Sequence, residues 1–484
     1  MSEHPKGLAA ERRIFCNRTL NLRSIKAIGF DMDYTLVHYN VQAWEGRAFD
    51  YTKENLKEMG YAVDDLEFDP AFINRGLVID RLTGNIIKAN RFGYIKTAAH
   101  GTKMIEFREM RKLYRRTIVD LGEKRFYFLN TLFSLSEASI YSQMVEKLDA
   151  GELRRENASE IMGYGELHDL VRKALDQAHV EGKLKADILA DPEHFIEEDQ
   201  ELIPSLLDIK AAGKKLILIT NSGYYYTSKI MDYLFKGKLP NQMKWTDLFD
   251  LSVVSARKPD FFINRPPIFE VVNEEGHLRP VNGTPEEGKI YLGGYASLIE
   301  KALNVRGDQI LYVGDHIYGD VHVSKSLSQW RTCLVVRELE REVKAIAKGQ
   351  DDSEIIAKLM DEKKQLEHRL SAIKLERMRN KNDMFATSEV DDKTLKNELN
   401  SIRSQLVTLD DKIRPYASQD GHGFNKKWGY MLRAGNDKSH MTRQIERHAD
   451  LYTSRVSNFL HYTPFMYFRA SRGALPHDRD GSYF

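Results

Sequence analysis

Two carboxylates stand two residues apart in Phe30-Asp31-Met32-Asp33-Tyr34-Thr35-Leu36, directly after an apolar run at 25–30. Desolvated together they would repel, so a compensating charge is needed. Mg²⁺ suits that need because it prefers oxygen ligands and keeps part of its water shell. A metal-held Asp31 could attack phosphorus while Asp33 handles the leaving-group proton. Taken alone, so short a pattern serves equally well as a solvated turn. Its companions in the chain change that balance. Thr220-Asn221-Ser222 offers hydroxyls and loop N–H groups to phosphate oxygens. Lys258, in Ala256-Arg257-Lys258-Pro259, offers a point charge to a transferring phosphoryl group. Gly314-Asp315-His316-Ile317-Tyr318-Gly319-Asp320 supplies two further carboxylates.

These groups need elements to hold them. The apolar runs 25–30, 215–220, 310–313 and 251–254 read as parallel strands buried on both faces. Asp31, Thr220 and Asp315 fall at the carboxyl ends of three of them, where open α/β sheets bind ligands. About 185 residues separate the first two strands, too many for a crossover, so an inserted domain is expected. Within it, Leu167, Leu170, Val171, Ala174, Leu175 and Ala178 form one apolar helical face over 166–179. Further on, Leu395, Leu399, Ile402, Leu406, Leu409 and Ile413 repeat in a heptad seam. Ile355, Leu359, Leu366, Leu370 and Ile373 give a similar pattern upstream, with the polar stretch 380–392 as the turn of an antiparallel hairpin. The expected division is a core at 1–40 and 195–340, a cap at 41–194 and a helical hairpin at 341–420. An aromatic-rich segment at 421–484 would pack on the core or a subunit interface.

Composition narrows the classes. The chain has 484 residues, 42% hydrophobic and 30% charged, which suits a multidomain folded protein. Lys+Arg 72 against Asp+Glu 71 leaves a net charge of +1, which argues against a nucleic-acid-binding protein. Cys16 and Cys333 cannot build a disulfide framework. No apolar run is long enough to span a bilayer, and the first residues carry no apolar signal core. A cytoplasmic protein is expected.

The ordered set Asp-x-Asp, Thr, Lys, Gly-Asp-x4-Asp resembles the four motifs of the haloacid dehalogenase (HAD) superfamily of phosphotransferases. The segments 13–36, 75–88, 125–133, 315–320 and 449–453 look like the cytosolic IMP/GMP-specific purine 5'-nucleotidase II family. The likeness spans most of the chain outside the stretch at about 345–420. It implies an α/β fold: a HAD-like Rossmannoid parallel sheet with a large inserted cap and a helical hairpin insertion. It implies a Mg²⁺-dependent 5'-nucleotidase with phosphotransferase activity toward nucleosides, working as a homo-oligomer, a dimer or a tetramer. Asp31 matches the nucleophile and Asp33 the acid/base. Mg²⁺ would take the Asp31 carboxylate, the Asp33 main-chain carbonyl and Asp315, with Asp320 behind them. Thr220, Ser222 and Lys258 match phosphate-binding positions. Asn130 and Phe133 match the purine pocket, and Arg172, Asp176, His179 and Lys185 the base- and phosphate-facing side.

Those cap positions make chemical sense for a 6-oxopurine. Arg172, Asp176 and His179 share one helical face. A guanidinium can donate to O6 and N7. Asp176 can accept from N1–H, which IMP and GMP have and AMP lacks. Phe133 can stack on the ring. The chain also departs from the family: Val180 replaces a common Tyr, while Asp120 and Ser326 stand where effector-regulated animal members carry Arg and Lys. The lost positive charge argues against activation by ATP-like nucleotides. Two other readings remain: a HAD phosphatase for another phosphometabolite, and a nucleotide-binding regulator or scaffold acting through the hairpin.

Overall fold

The computed structural model describes residues 5, 7–153, 162–180, 182–382, 390–419 and 421–471. Its central strand, Ala27–Phe30, is flanked in parallel by Lys215–Ile219 and by Ile310–Gly314, which places Ile28 beside both Leu216 and Leu311. Outward from Lys215–Ile219 come Leu251–Val254 and Ile290–Gly293. On the other side lie Arg331–Val335 and Leu451–Thr453. Seven strands therefore run parallel, with antiparallel strands added at both edges. All four residues of Ala27–Phe30 are buried, as a strand covered on both faces requires.

One glycine makes this packing possible. A Cβ on Gly29 would meet the Tyr312 ring at 2.8 Å, so the small residue admits the ring that reaches the active end of the sheet. Below it, Tyr312 joins Phe261, Phe262 and Trp330 in an edge-to-face aromatic core.

The insertion after the first strand has a sheet of its own. Val78–Asp80, Asn85–Ala89, Ile95–His100, Lys103–Met104 and Phe126–Phe128 form an antiparallel sheet that the apolar runs did not announce. The helices Val41–Glu58, Leu135–Asp149 and Tyr164–Val180 pack on one another. Leu167, Val171, Ala174, Leu175 and Ala178 are buried, on the face their spacing indicated. The C-terminal segment, expected only to pack on something, supplies the sheet strand Leu451–Thr453.

Residues Arg341–Tyr430 form a separate compact unit. In it, helices Gln350–Lys381 and Asp392–Gln419 bury Ile373, Leu395, Leu399 and Ile402 along the heptad seam. Most of the turn expected at 380–392 lies outside the described residues. Among the described residues, no helix is long and apolar enough to cross a membrane.

Candidate active site

Three parallel strands deliver their carboxyl ends to one place. The Asp31 amide donates to the Val313 carbonyl at 2.9 Å, which fixes the turn after the central strand to its neighbour. Carboxylate oxygens of Asp31, Asp315 and Asp320 come within 4.8 Å of one another, all three residues being buried. Lys258 stands among them, with Nζ 2.9 Å from Asp31 Oδ1 and 2.7 Å from Asp320 Oδ1. Its third proton goes to the Tyr312 hydroxyl at 2.9 Å, and Tyr312 donates onward to the Ile219 carbonyl. Asp320 can stand this close because residue 314 is glycine. A Cβ there would meet Asp320 Oδ2 at 2.4 Å.

The loop that carries Lys258 is held by Asn221. Asn221 Oδ1 accepts from the Lys258 amide at 2.6 Å, and its Nδ2 donates to the Lys258 carbonyl at 3.0 Å. Thr220 is fully buried and its Oγ1 accepts from the Ser222 amide at 3.0 Å, which shapes the phosphate-facing loop. Arg75, also buried, donates to the Asp315 carbonyl at 3.2 Å and pairs with Glu338 at 2.6 Å.

Charge at the cluster is out of balance. Burial pushes the Asp31 carboxyl up to about 7 even though Lys258 pulls it down. Burial likewise lifts Asp315 well above the usual carboxylate range, with Asp320 and Asp31 adding to the effect. Burial works against the Lys258 ammonium, but Asp31 and Asp320 outweigh it and hold its pKa well above that of a free lysine. Asp315 Oδ2 is buried and has no hydrogen-bond partner. Three buried carboxylates with an unused oxygen, against one lysine, offer hard-oxygen donors of the kind that suit a divalent cation such as Mg²⁺. Asp320 lies beside the other two, with Oδ1 on Lys258 and Oδ2 on the His316 amide. The Asp33 carboxylate stands outside the set: it accepts from Tyr39 at 2.6 Å and from Ser222 at 2.7 Å.

From Asp33 a cleft of about 370 Å³ runs between core and cap. Asn221 and Ser222 line its core side, and Phe133, Arg172, Asp176 and Lys185 its cap side. Lys185 Nζ donates to Ser222 Oγ at 3.2 Å across the junction. The Arg172 guanidinium lies 4.8 Å over the Tyr127 ring, with its Nε 3.8 Å from Glu137 Oε1. Phe133 packs edge-on against Tyr34 and tilted against Trp44.

Asn130 is the exception among the cap positions. It lines a neighbouring cavity of about 260 Å³ with Tyr318, His322 and His448. The backbone is extended at Thr131, so side chains alternate, and Thr131 takes the cleft side in its place. The His179 side chain lies outside the described residues. Glu137, Tyr127 and Trp44 line the cleft although neither motif nor spacing marked them.

A family model described as the 5' nucleotidase family matches residues 14–480. The chain belongs to the 5' nucleotidase family. A 5'-nucleotidase domain-containing protein of Dictyostelium discoideum is 28% identical over 486 residues, covering 96% of this chain and 74% of that protein. The 5'-nucleotidase domain-containing protein 2 of Homo sapiens is 28% identical over 481 residues, covering 96% and 85%. A predicted phosphoglycolate phosphatase of Haemophilus somnus aligns over 65% of this chain and 86% of its own, with 12% identity and a TM-score of 0.28. Membership in the 5' nucleotidase family makes phosphate-ester hydrolysis the chemistry for which this site must account.

Proposed function

We propose that the chain hydrolyses 6-oxopurine nucleoside 5'-monophosphates, GMP and IMP, in a Mg²⁺-dependent reaction through a phosphorylated Asp31. The observation that carries this reading is the continuity of the cleft. It joins Asp33 and Ser222 at the chemical end to Arg172, Asp176 and Phe133 at the cap end. A ligand with a phosphate at one end and a flat, polar-edged ring at the other matches that arrangement.

Asp31 forms a bond to phosphorus as the bond to the 5'-oxygen breaks, and Asp33 gives that oxygen a proton. Water then attacks the phosphorus, Asp33 takes its proton, and the Asp31–phosphorus bond breaks. A nucleoside hydroxyl in place of water would make the reaction a phosphotransfer. Lys258, Thr220, Ser222 and Lys185 bind phosphoryl oxygens, and Asn221 keeps the Lys258 backbone in register for this. Asp31 and Asp315, with the Asp33 carbonyl, would hold Mg²⁺, with Asp320 behind them on Lys258; the ion would supply charge neutralisation at the phosphoryl group.

Base choice falls to the cap. Arg172 offers donors to O6 and N7, and Asp176 accepts from N1–H. AMP would set its unprotonated N1 against a carboxylate, a mismatched pair of acceptors. A phosphate-release panel of nucleoside monophosphates, with and without Mg²⁺, tests the reading. GMP and IMP should be turned over and AMP poorly. Asp31→Asn should abolish release, and Asp176→Asn should erase the preference over AMP. Release that survives in Asp31→Asn, or an unchanged base preference in Asp176→Asn, overturns the corresponding assignment.

A further inference from the structure

The Asp33 carboxylate is gripped from two sides, and one grip belongs to no motif. Tyr39 donates to Oδ1 at 2.6 Å while Ser222 donates to Oδ2 at 2.7 Å. A tyrosine hydroxyl has a single proton, and Tyr39 uses it on Asp33. The 2.9 Å contact between the Tyr39 and Tyr226 hydroxyls must therefore have Tyr226 as donor. The result is a directed chain, Tyr226 to Tyr39 to Asp33, in which each bond polarises the next.

The chain is built on rigid parts. Tyr39 ends the short strand His38–Tyr39, opposite Ile196 in an antiparallel pair. Its ring lies 4.3 Å from Trp44 and 5.2 Å from Tyr34, so it has no room to swing. Tyr226 lies in the first turn of helix Tyr224–Phe235, directly after the Thr220–Ser222 loop. From the cap, Lys185 sits 4.7 Å over the Tyr226 ring and also donates to Ser222. Both tyrosines are buried.

We propose that Tyr39, held by Tyr226, is a positioning residue that keeps the Asp33 carboxyl turned toward the leaving-group oxygen and away from the acidic cluster. The proposal rests on Asp33 being the acid/base. An unrestrained aspartate would be drawn to the Lys258 ammonium or to a cation beside it, and the Tyr39 bond opposes that pull. With Tyr39 on Oδ1 and Ser222 on Oδ2, the plane of the carboxyl is fixed from both sides. The proton on Tyr39 stays in place through both half-reactions. Only the Asp33 proton moves, to the 5'-oxygen as the phosphorus–oxygen bond breaks and back from water afterwards.

A group that positions a general acid reveals itself by leaving-group dependence, because an acidic leaving group needs little protonation. The test is single-turnover phosphoryl transfer in the full chain with Mg²⁺, from GMP and from aryl phosphates of increasing leaving-group acidity. Tyr39→Phe should slow GMP about tenfold, part of what a general acid contributes. The loss should shrink steadily along the aryl series, with KM for GMP within about twofold of wild type. Tyr226→Phe should give the same pattern at smaller size, and it carries the test alone if Tyr39→Phe does not fold. An equal loss across the series, or an unchanged rate with GMP, overturns the proposal. Asp33→Asn is measured alongside: a loss that ignores the leaving group would sink the acid/base assignment itself, a failure distinct from that of Tyr39.

Discussion

At the scale of single residues, the site depends on two glycines as much as on its aspartates. Gly29 admits the Tyr312 ring, and Gly314 admits Asp320, so Lys258 finds two of its three partners in reach. Gly314→Ala should therefore damage activity and stability together. The added methyl can be relieved only by moving Asp320, because the strand backbone is locked in register with Arg331–Val335. A cost of about 1–3 kcal/mol is expected from overpacking at such a site. Thermal unfolding would report that loss, and the concentration of Mg²⁺ needed for half-maximal phosphate release should rise as Asp320 is displaced. A variant with wild-type stability and Mg²⁺ dependence would mean Asp320 has slack that the 2.4 Å approach denies. The motif residues themselves were legible because Asp31, Thr220 and Asp315 each close an apolar run. Tyr39 and Glu137 were not. Tyr39 sits in an unremarkable His-Tyr pair, and Glu137 is a carboxylate on a helix face that its neighbours bury. Their roles come from contacts across 187 and 35 residues of chain, to Tyr226 and Arg172.

At the scale of elements, legibility follows how apolar a strand is along its own length. The runs 25–30, 215–220, 251–254 and 310–313 announce themselves. Arg331–Val335 opens on Arg and Thr, and Leu451–Thr453 is only three residues long. The cap sheet escapes notice because it buries Asp80, Asn85 and Lys88 among its apolar residues. Asp80 is satisfied there by Arg125, Thr83 and Tyr114, a network that sequence spacing does not express. The last core strand is anchored in the same manner, by a buried charge. Asp450 is fully buried and bonds Lys325, Arg331 and the Thr332 amide just before Leu451–Thr453 enters the sheet. Burial would raise its pKa, but the bonds and charges of Lys325 and Arg331 outweigh it and hold it below the ordinary range. A carboxyl depressed in the folded state contributes stability above its unfolded pKa, near 3.9, and loses it as pH falls through the native value. Asp450→Asn should cost about 3 kcal/mol at neutral pH, the low end for breaking a buried pair, since Lys325 and Arg331 are partly exposed. The deficit should narrow below about pH 4. Denaturant midpoints of wild type and variant at several pH values would show it, and a pH-independent difference would mean the charge is not what anchors the strand.

At the scale of the whole molecule, every residue assigned to the site lies in the unit formed by Met1–Glu340 and Met431–Phe484, while the hairpin belongs to Arg341–Tyr430. The heptad spacing made the hairpin legible because its seam is local in sequence, which is also why it says nothing about catalysis. Its stability rests on one apolar seam between two helices. The seam buries Ile373, Leu395, Leu399, Ile402, Leu409 and Ile413, with Leu366, Leu370 and Leu406 partly buried, while Ile355, Leu375 and Val407 are exposed. Arg369–Glu398, Arg377–Asp392 and Lys363–Asp410 add largely exposed ion pairs across the two helices. Each such pair is worth at most about 1 kcal/mol and is screened by salt. The two helices, of 32 and 28 residues, should therefore melt before the α/β core, and at lower temperature in high salt. Circular dichroism should resolve this as an early loss of helix during which phosphate release from a nucleoside monophosphate persists. Excising 350–419 should remove the early transition and leave the later one in place. If the whole chain instead melts in one step with activity, and the excised variant is inactive or melts lower, then the hairpin supports the catalytic unit and is not an autonomous arm.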